Sequence, residues 1–124
     1  MTDVLVVAEV SEGQPRKATL SAISFAKAVA EGTGGAFDIL SIGDGAESAA
    51  GALTGFGARK VLHTEIGGGY VSETFAPTVA AAAGGYGVVT ACASSFGKDL
   101  LPRVASKLDA GVASDISSVA VEGG

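Results

Sequence analysis

Short apolar runs alternate with stretches of helical periodicity along this chain, and that alternation leaves few folds open. Residues 4–7 are a continuous run of valine and leucine, with Ala8 beyond it. A strand that is apolar at every position is buried on both faces, as in a parallel sheet covered by helices. A turn-rich loop at 11–15 leads into a stretch that predicts a helix over 17–31. There Ala22, Ile23, Ala26, Val29 and Ala30 share one face at a spacing of about 3.6 residues. The glycines within 32–35 end it, as glycine does at helix C-termini.

The unit then repeats. A second strand is expected at 36–41, with a turn at 43–45 and a short helix at 46–54 that Gly51 and Gly55 weaken. A third strand is expected at 60–64, a loop at 67–69, and a helix at 73–83 with Ser72 as its cap. Pro77 fits that helix only within its first turn. A fourth strand covers 86–91. The next helix should start near Lys98 or Asp99, because Pro102 is comfortable only in a first turn. Its apolar arc is Leu100, Leu101, Val104, Ala105 and Leu108, with Asp99 and Arg103 paired at i,i+4 on the other side. Short strands at 112–113 and 116–121 finish the chain. The order βαβαβαβαβ predicts an α/β fold of three layers, a mostly parallel sheet with helices on both faces. Ligands in such sheets sit at the carboxyl ends of strands. Here those ends carry Glu9, residues 41–45, Thr64-Glu65, residues 93–95 and Ser114-Asp115.

At 124 residues the chain is expected to form one domain, 1–124. A net charge of −5 without a basic stripe argues against nucleic acid and anionic membrane as partners. Apolar runs such as 79–83 fall far short of the roughly 20 residues that insert across a bilayer. A lone Cys92 excludes an internal disulfide, and a lone His63 excludes a histidine-rich metal site. Met1-Thr2-Asp3 lacks the basic start of a secretory signal, so the expected location is the cytoplasm. With 48% hydrophobic and only 17% charged residues, the chain is apolar for a free monomer, which points to a face covered by a partner.

Each patch of chemistry has a plainer reading beside it. Glu9-Val10-Ser11-Glu12-Gly13 follows the first strand in place of a dinucleotide glycine fingerprint, and no P-loop occurs. Ser41-Ile42-Gly43-Asp44-Gly45 could face an adenosine, but ordinary turn chemistry accounts for it. Gly67 to Gly69 has a cradle's composition and a loop's position. Cys92 reads as a buried, inert thiol and His63 as a partly buried, satisfied histidine. Ser94 and Ser95 have no base nearby, so no catalytic triad forms. The carboxylate pairs Glu9/Glu12 and Asp38/Asp44 read as charge on solvated loops. The densest polar group is Lys98, Asp99, Arg103, Ser114 and Asp115. It is either a cap, an ion pair and a turn, or a contact surface beside the strand ends where an arginine suits bidentate pairing between domains.

The segment Ser95-Phe96-Gly97-Lys98-Asp99-Leu100-Leu101-Pro102-Arg103-Val104-Ala105, followed by Lys107-Leu108 and Ser114-Asp115-Ile116, resembles the N-terminal domain of the electron transfer flavoprotein alpha subunit. Val4-Leu5-Val6-Val7-Ala8-Glu9 is similar to that subunit's opening strand, and Gly57-Ala58-Arg59-Lys60-Val61-Leu62 to its third strand. The resemblance runs through the whole chain in order. It implies a Rossmann-like layer of the adenine nucleotide alpha hydrolase type, paired with a beta subunit of related fold that carries AMP. It also implies an electron carrier rather than an enzyme. In the family, electrons pass from flavoprotein dehydrogenases such as acyl-CoA dehydrogenases, in fatty acid oxidation, to a membrane quinone oxidoreductase or similar acceptor. One FAD carries them, held mainly by a separate C-terminal domain, and eukaryotic relatives work in the mitochondrial matrix. The family's FAD-contacting motifs have no positions in this sequence, so 1–124 is expected to be a truncated scaffold domain without catalytic, cofactor or metal residues. Lys98, Asp99, Arg103, Ser114 and Asp115 are then expected at structural or domain-interface positions. The competing expectation is an AMP- or ATP-binding module using Ala8, residues 41–45 and Ser94.

Overall fold

The structure, a computed structural model, describes residues 3–11, 14–15, 19–66, 72–84, 86–92, 95–108, 111–114 and 118–122. The elements run β1 (Val4–Ser11), β2 (Gln14–Pro15), α1 (Thr19–Thr33), β3 (Phe37–Gly43), α2 (Ala46–Ala52), β4 (Val61–Glu65), α3 (Ser72–Ala82), β5 (Val88–Cys92), α4 (Ser95–Leu108), β6 (Gly111–Ser114) and β7 (Ser118–Glu122). The strands form a single sheet in the order β4-β3-β1-β5-β7-β6, with β2 paired to β1 as a short hairpin. Strands β4, β3, β1 and β5 run parallel, whereas β7 is antiparallel to both β5 and β6. This is the expected three-layer, Rossmann-like α/β fold with a mostly parallel sheet. The departures lie at the 11–15 loop, which holds the β1–β2 hairpin, and at the antiparallel β6–β7 edge.

The alternation in β1 shows why the sheet needs helices on both sides. Leu5 and Val7 join Leu40, Ile42, Phe75, Val79, Leu100 and Val104 in one core. Val4, Val6 and Ala8 join Ala22, Ile23, Ala26, Ile39 and Leu53 in the other. Successive side chains of a strand point to opposite faces. Helices α3 and α4 therefore cover one face, and α1 with the end of α2 covers the other.

Two helices break the proline rule used on the sequence. Pro102 is the eighth residue of α4 counted from Ser95, and Pro77 the sixth of α3 counted from Ser72. Neither lies in a first turn, so α4 starts at Ser95 rather than at Lys98 or Asp99. The reason is burial. Leu100, Leu101 and Val104 are fully buried, each worth about 1.5–3 kcal/mol. An internal proline costs about 3 kcal/mol. Packing wins over propensity, and both prolines sit on the exposed side of their helices.

Candidate functional site

At the carboxyl ends of the strands, Ser41 of β3 and Glu65 of β4 are already engaged within the fold. The Ser41 hydroxyl, fully buried, donates to the Ala46 carbonyl at 2.8 Å. Gly43 has φ +131°, and a Cβ there would meet the Val10 carbonyl oxygen at 3.0 Å, so only glycine lets β1 and β3 approach here. Gly45 precedes α2 in the left-handed conformation and brings no side chain to cap it. Glu65, from the end of β4, supplies the cap instead. Its Oε2 accepts the Gly45 N–H at 3.0 Å and its Oε1 accepts the Glu47 N–H at 2.9 Å. The Glu47 N–H first, then that of Gly45, holds the Glu65 carboxyl below its usual value.

The amino ends of the four parallel strands hold a second cluster, centred on Asp38. Its side chain is fully buried, yet it stays charged because four donors surround it. Oδ1 accepts the Arg59 Nε–H at 3.1 Å and the Lys60 N–H at 3.1 Å. Oδ2 accepts Arg59 Nη2 at 2.8 Å and a short bond from the Tyr86 hydroxyl. Burial alone would raise the Asp38 carboxyl, but the bonds from Arg59, Tyr86 and Lys60 together hold it below its ordinary value. Burial and then the bond to Asp38 push the Tyr86 phenol up to about 12. Asp3, just ahead of β1, accepts the Ala36 N–H at 3.0 Å and lies 3.5 Å from Arg59 Nη1. One side chain each before β1, in β3, before β4 and before β5 thus ties the four strand starts together.

Asp38 is a correction to its reading as a solvated carboxylate. The signal was present: Asp38 lies between Phe37 and Ile39 in an apolar run, and an Arg-Lys pair opens the next strand. His63 is likewise not a satisfied, partly buried histidine; it is exposed on the edge strand β4. Of the expected site residues, Asp99 and Arg103 do form the i,i+4 pair, with Nε to Oδ1 at 3.5 Å, and both are about half exposed. Lys98 lies in α4 and Ser114 closes β6, but their side chains, and all of Asp115, fall outside the described residues, as do Ser94, residues 67–69 and the Cys92 side chain. Ala8 is fully buried in the sheet.

A cleft of about 370 Å³ opens beside Arg59 and is lined also by Lys27, Glu31 and Gly57. Arg59 is already matched by Asp38 and Asp3, and Glu31 offsets Lys27, so the cleft has no excess positive charge for an anion. Among the described residues no group of three or more His, Cys, Asp and Glu side chains could hold a metal ion, and no helix is long and apolar enough to cross a membrane.

Comparison with known proteins meets this geometry from the other side. Residues 4–124 match the family model described as the electron transfer flavoprotein domain. The chain is 34% identical, over 120 residues, to the electron transfer flavoprotein subunit alpha of Paracoccus denitrificans. That match takes in 94% of this chain and 37% of the relative's length. The chain belongs to the electron transfer flavoprotein domain family, on the side of the alpha subunit.

Proposed function

We propose that this chain is the N-terminal scaffold and subunit-interaction domain of an electron transfer flavoprotein alpha subunit. It carries no catalytic group of its own. Its work is to hold a beta subunit and a separate flavin domain in register, since electron transfer depends on how the cofactor is placed. In the assembled protein, FAD takes electrons from flavoprotein dehydrogenases, acyl-CoA dehydrogenases among them, and passes them to a quinone oxidoreductase in the cytoplasmic or matrix compartment. The observation that carries the reading lies at the end of β3. There the backbone N–H pair that a nucleotide phosphate would take is occupied by Glu65. That favours a scaffold over the AMP- or ATP-binding alternative.

The surface proposed to meet a neighbouring domain is the outer face of α4, where Asp99 and Arg103 stand exposed, together with Lys98, Ser114 and Asp115. The test is to purify the chain alone and co-expressed with a beta subunit. A colourless chain that binds neither FAD nor AMP, and that co-purifies with the beta subunit, is the expected result. A stoichiometric yellow flavin complex with the chain alone would sink the scaffold reading. Saturable micromolar AMP binding in calorimetry would favour the alternative.

A further inference from the structure

Strand β4 has little of its own to fix its register. It is the last strand on its side of the sheet and five residues long. None of its side chains is fully buried. Its two apolar residues, Val61 and Leu62, are consecutive and partly buried, one packed against each core, so within the strand neither face carries more than one apolar residue. Apolar pattern specifies register only weakly in such a strand. A slip of two residues would keep each side chain on its face and displace the strand by about 7 Å.

What holds β4 is a carboxylate at each end. At its start, Asp38 on the neighbouring strand takes the Lys60 N–H and both inner donors of the Arg59 fork. At its end, Glu65 takes the N–H groups of Gly45 and Glu47. The two sets of bonds lie at opposite ends of the strand, yet both require the same pairing, Ile39 with Val61 through Gly43 with Glu65. Either contact is lost if β4 slips.

We infer that the Asp38–Arg59 clasp sets the register of β4 and thereby delivers Glu65 to the start of α2, so that the amino and carboxyl ends of the parallel strands are coupled through one edge strand. The coupling needs no side-chain chain between the two ends. It follows from a stiff strand with two anchors, and it is reciprocal, as any coupling between two equilibria must be. Lys60 reports on one anchor, Gly45 and Glu47 on the other.

Amide hydrogen exchange of the folded protein tests this. Arg59→Met should speed exchange at Gly45 and Glu47 by about tenfold, the effect of losing one hydrogen bond to a charged group. Glu65→Ala should speed exchange at Lys60 by a similar factor. In the double variant, Gly45 and Glu47 should exchange no faster than in Glu65→Ala alone, because the cap through which Arg59 acts is already gone. Tyr86→Phe weakens the Asp38 network without touching β4, and should leave Gly45 and Glu47 within about twofold of the parent. If Arg59→Met does not fold, Arg59→Lys keeps the charge, loses the fork and should move the same amides in the same direction. The inference is overturned if the Arg59 variants loosen Lys60 while Gly45 and Glu47 stay unchanged. It is also overturned if Tyr86→Phe loosens those two as much as Arg59→Met does, or if the effects simply add in the double variant.

Discussion

Asp38 accepts four hydrogen bonds on two oxygens in a fully buried position. Replacing it with alanine takes the acceptor from the Tyr86 hydroxyl and the Lys60 N–H and leaves the half-exposed Arg59 with Asp3. Asp38→Ala should therefore lower stability by about 3 kcal/mol, read from urea unfolding. Acid acts on the same residue. Because its folded carboxyl titrates below the unfolded value of 3.8, its contribution is complete above pH 3.8 and is lost as pH falls through the folded value. Tyr86 has the opposite sense. Its phenol rises from 10.0 to about 12, so stability tied to the protonated hydroxyl is complete below pH 10.0 and is lost as pH rises toward 12. A phenolate absorbance titration compared with Tyr86→Phe should show one late-ionising tyrosine in the parent protein. Arg103 differs from all of these. Half exposed and paired, among the described residues, across one helical turn, it should tolerate alanine within about 0.5 kcal/mol. In the proposed assembly, any loss of binding to a beta subunit in Arg103→Ala would then belong to the interface, while the flavin potential should stay put.

At the scale of elements, glycine and proline give the sharpest expectations. Gly43→Ala forces a side chain into a φ of +131° and against the Val10 carbonyl. It should cost about 1–3 kcal/mol, visible as a lowered midpoint of thermal unfolding. Pro102→Ala should do the reverse and stabilise the domain by up to about 3 kcal/mol, since the proline is exposed and its replacement returns a helical N–H. Elements of this kind also mark what sequence could convey. The parallel strands were legible because β1 is apolar at six of its eight positions and β3 carries Phe37, Ile39, Leu40 and Ile42, and α1 because Ala22, Ile23, Ala26 and Ala30 recur on one face. The start of α4 was not, because local proline cost hides the burial that outweighs it one and two residues away, at Leu101, Leu100 and Val104. The polar cluster escaped for a different reason. Asp3, Asp38, Arg59 and Tyr86 are scattered over more than eighty positions, and only the parallel topology gathers them at one end. The helix cap from Glu65 is hidden in the same way, since it comes from the strand after the helix that it serves.

For the molecule as a whole, the sheet has two characters. The parallel part is packed on both faces and tied at the strand starts, while the far edge is an antiparallel pair added beyond β5. The last of the described strands, β7, lies between β5 and β6, and β6 joins the ladder through it. During synthesis, residues 111–114 therefore leave the ribosome before the strand that will receive them does. A nascent chain halted just after Ser114 would present β5 as a bare sheet edge, open to any passing strand. Eight further residues, to Glu122, close that edge and place two strands at once. The arrival of residues 118–122 is thus the moment at which the β5 edge stops being sticky.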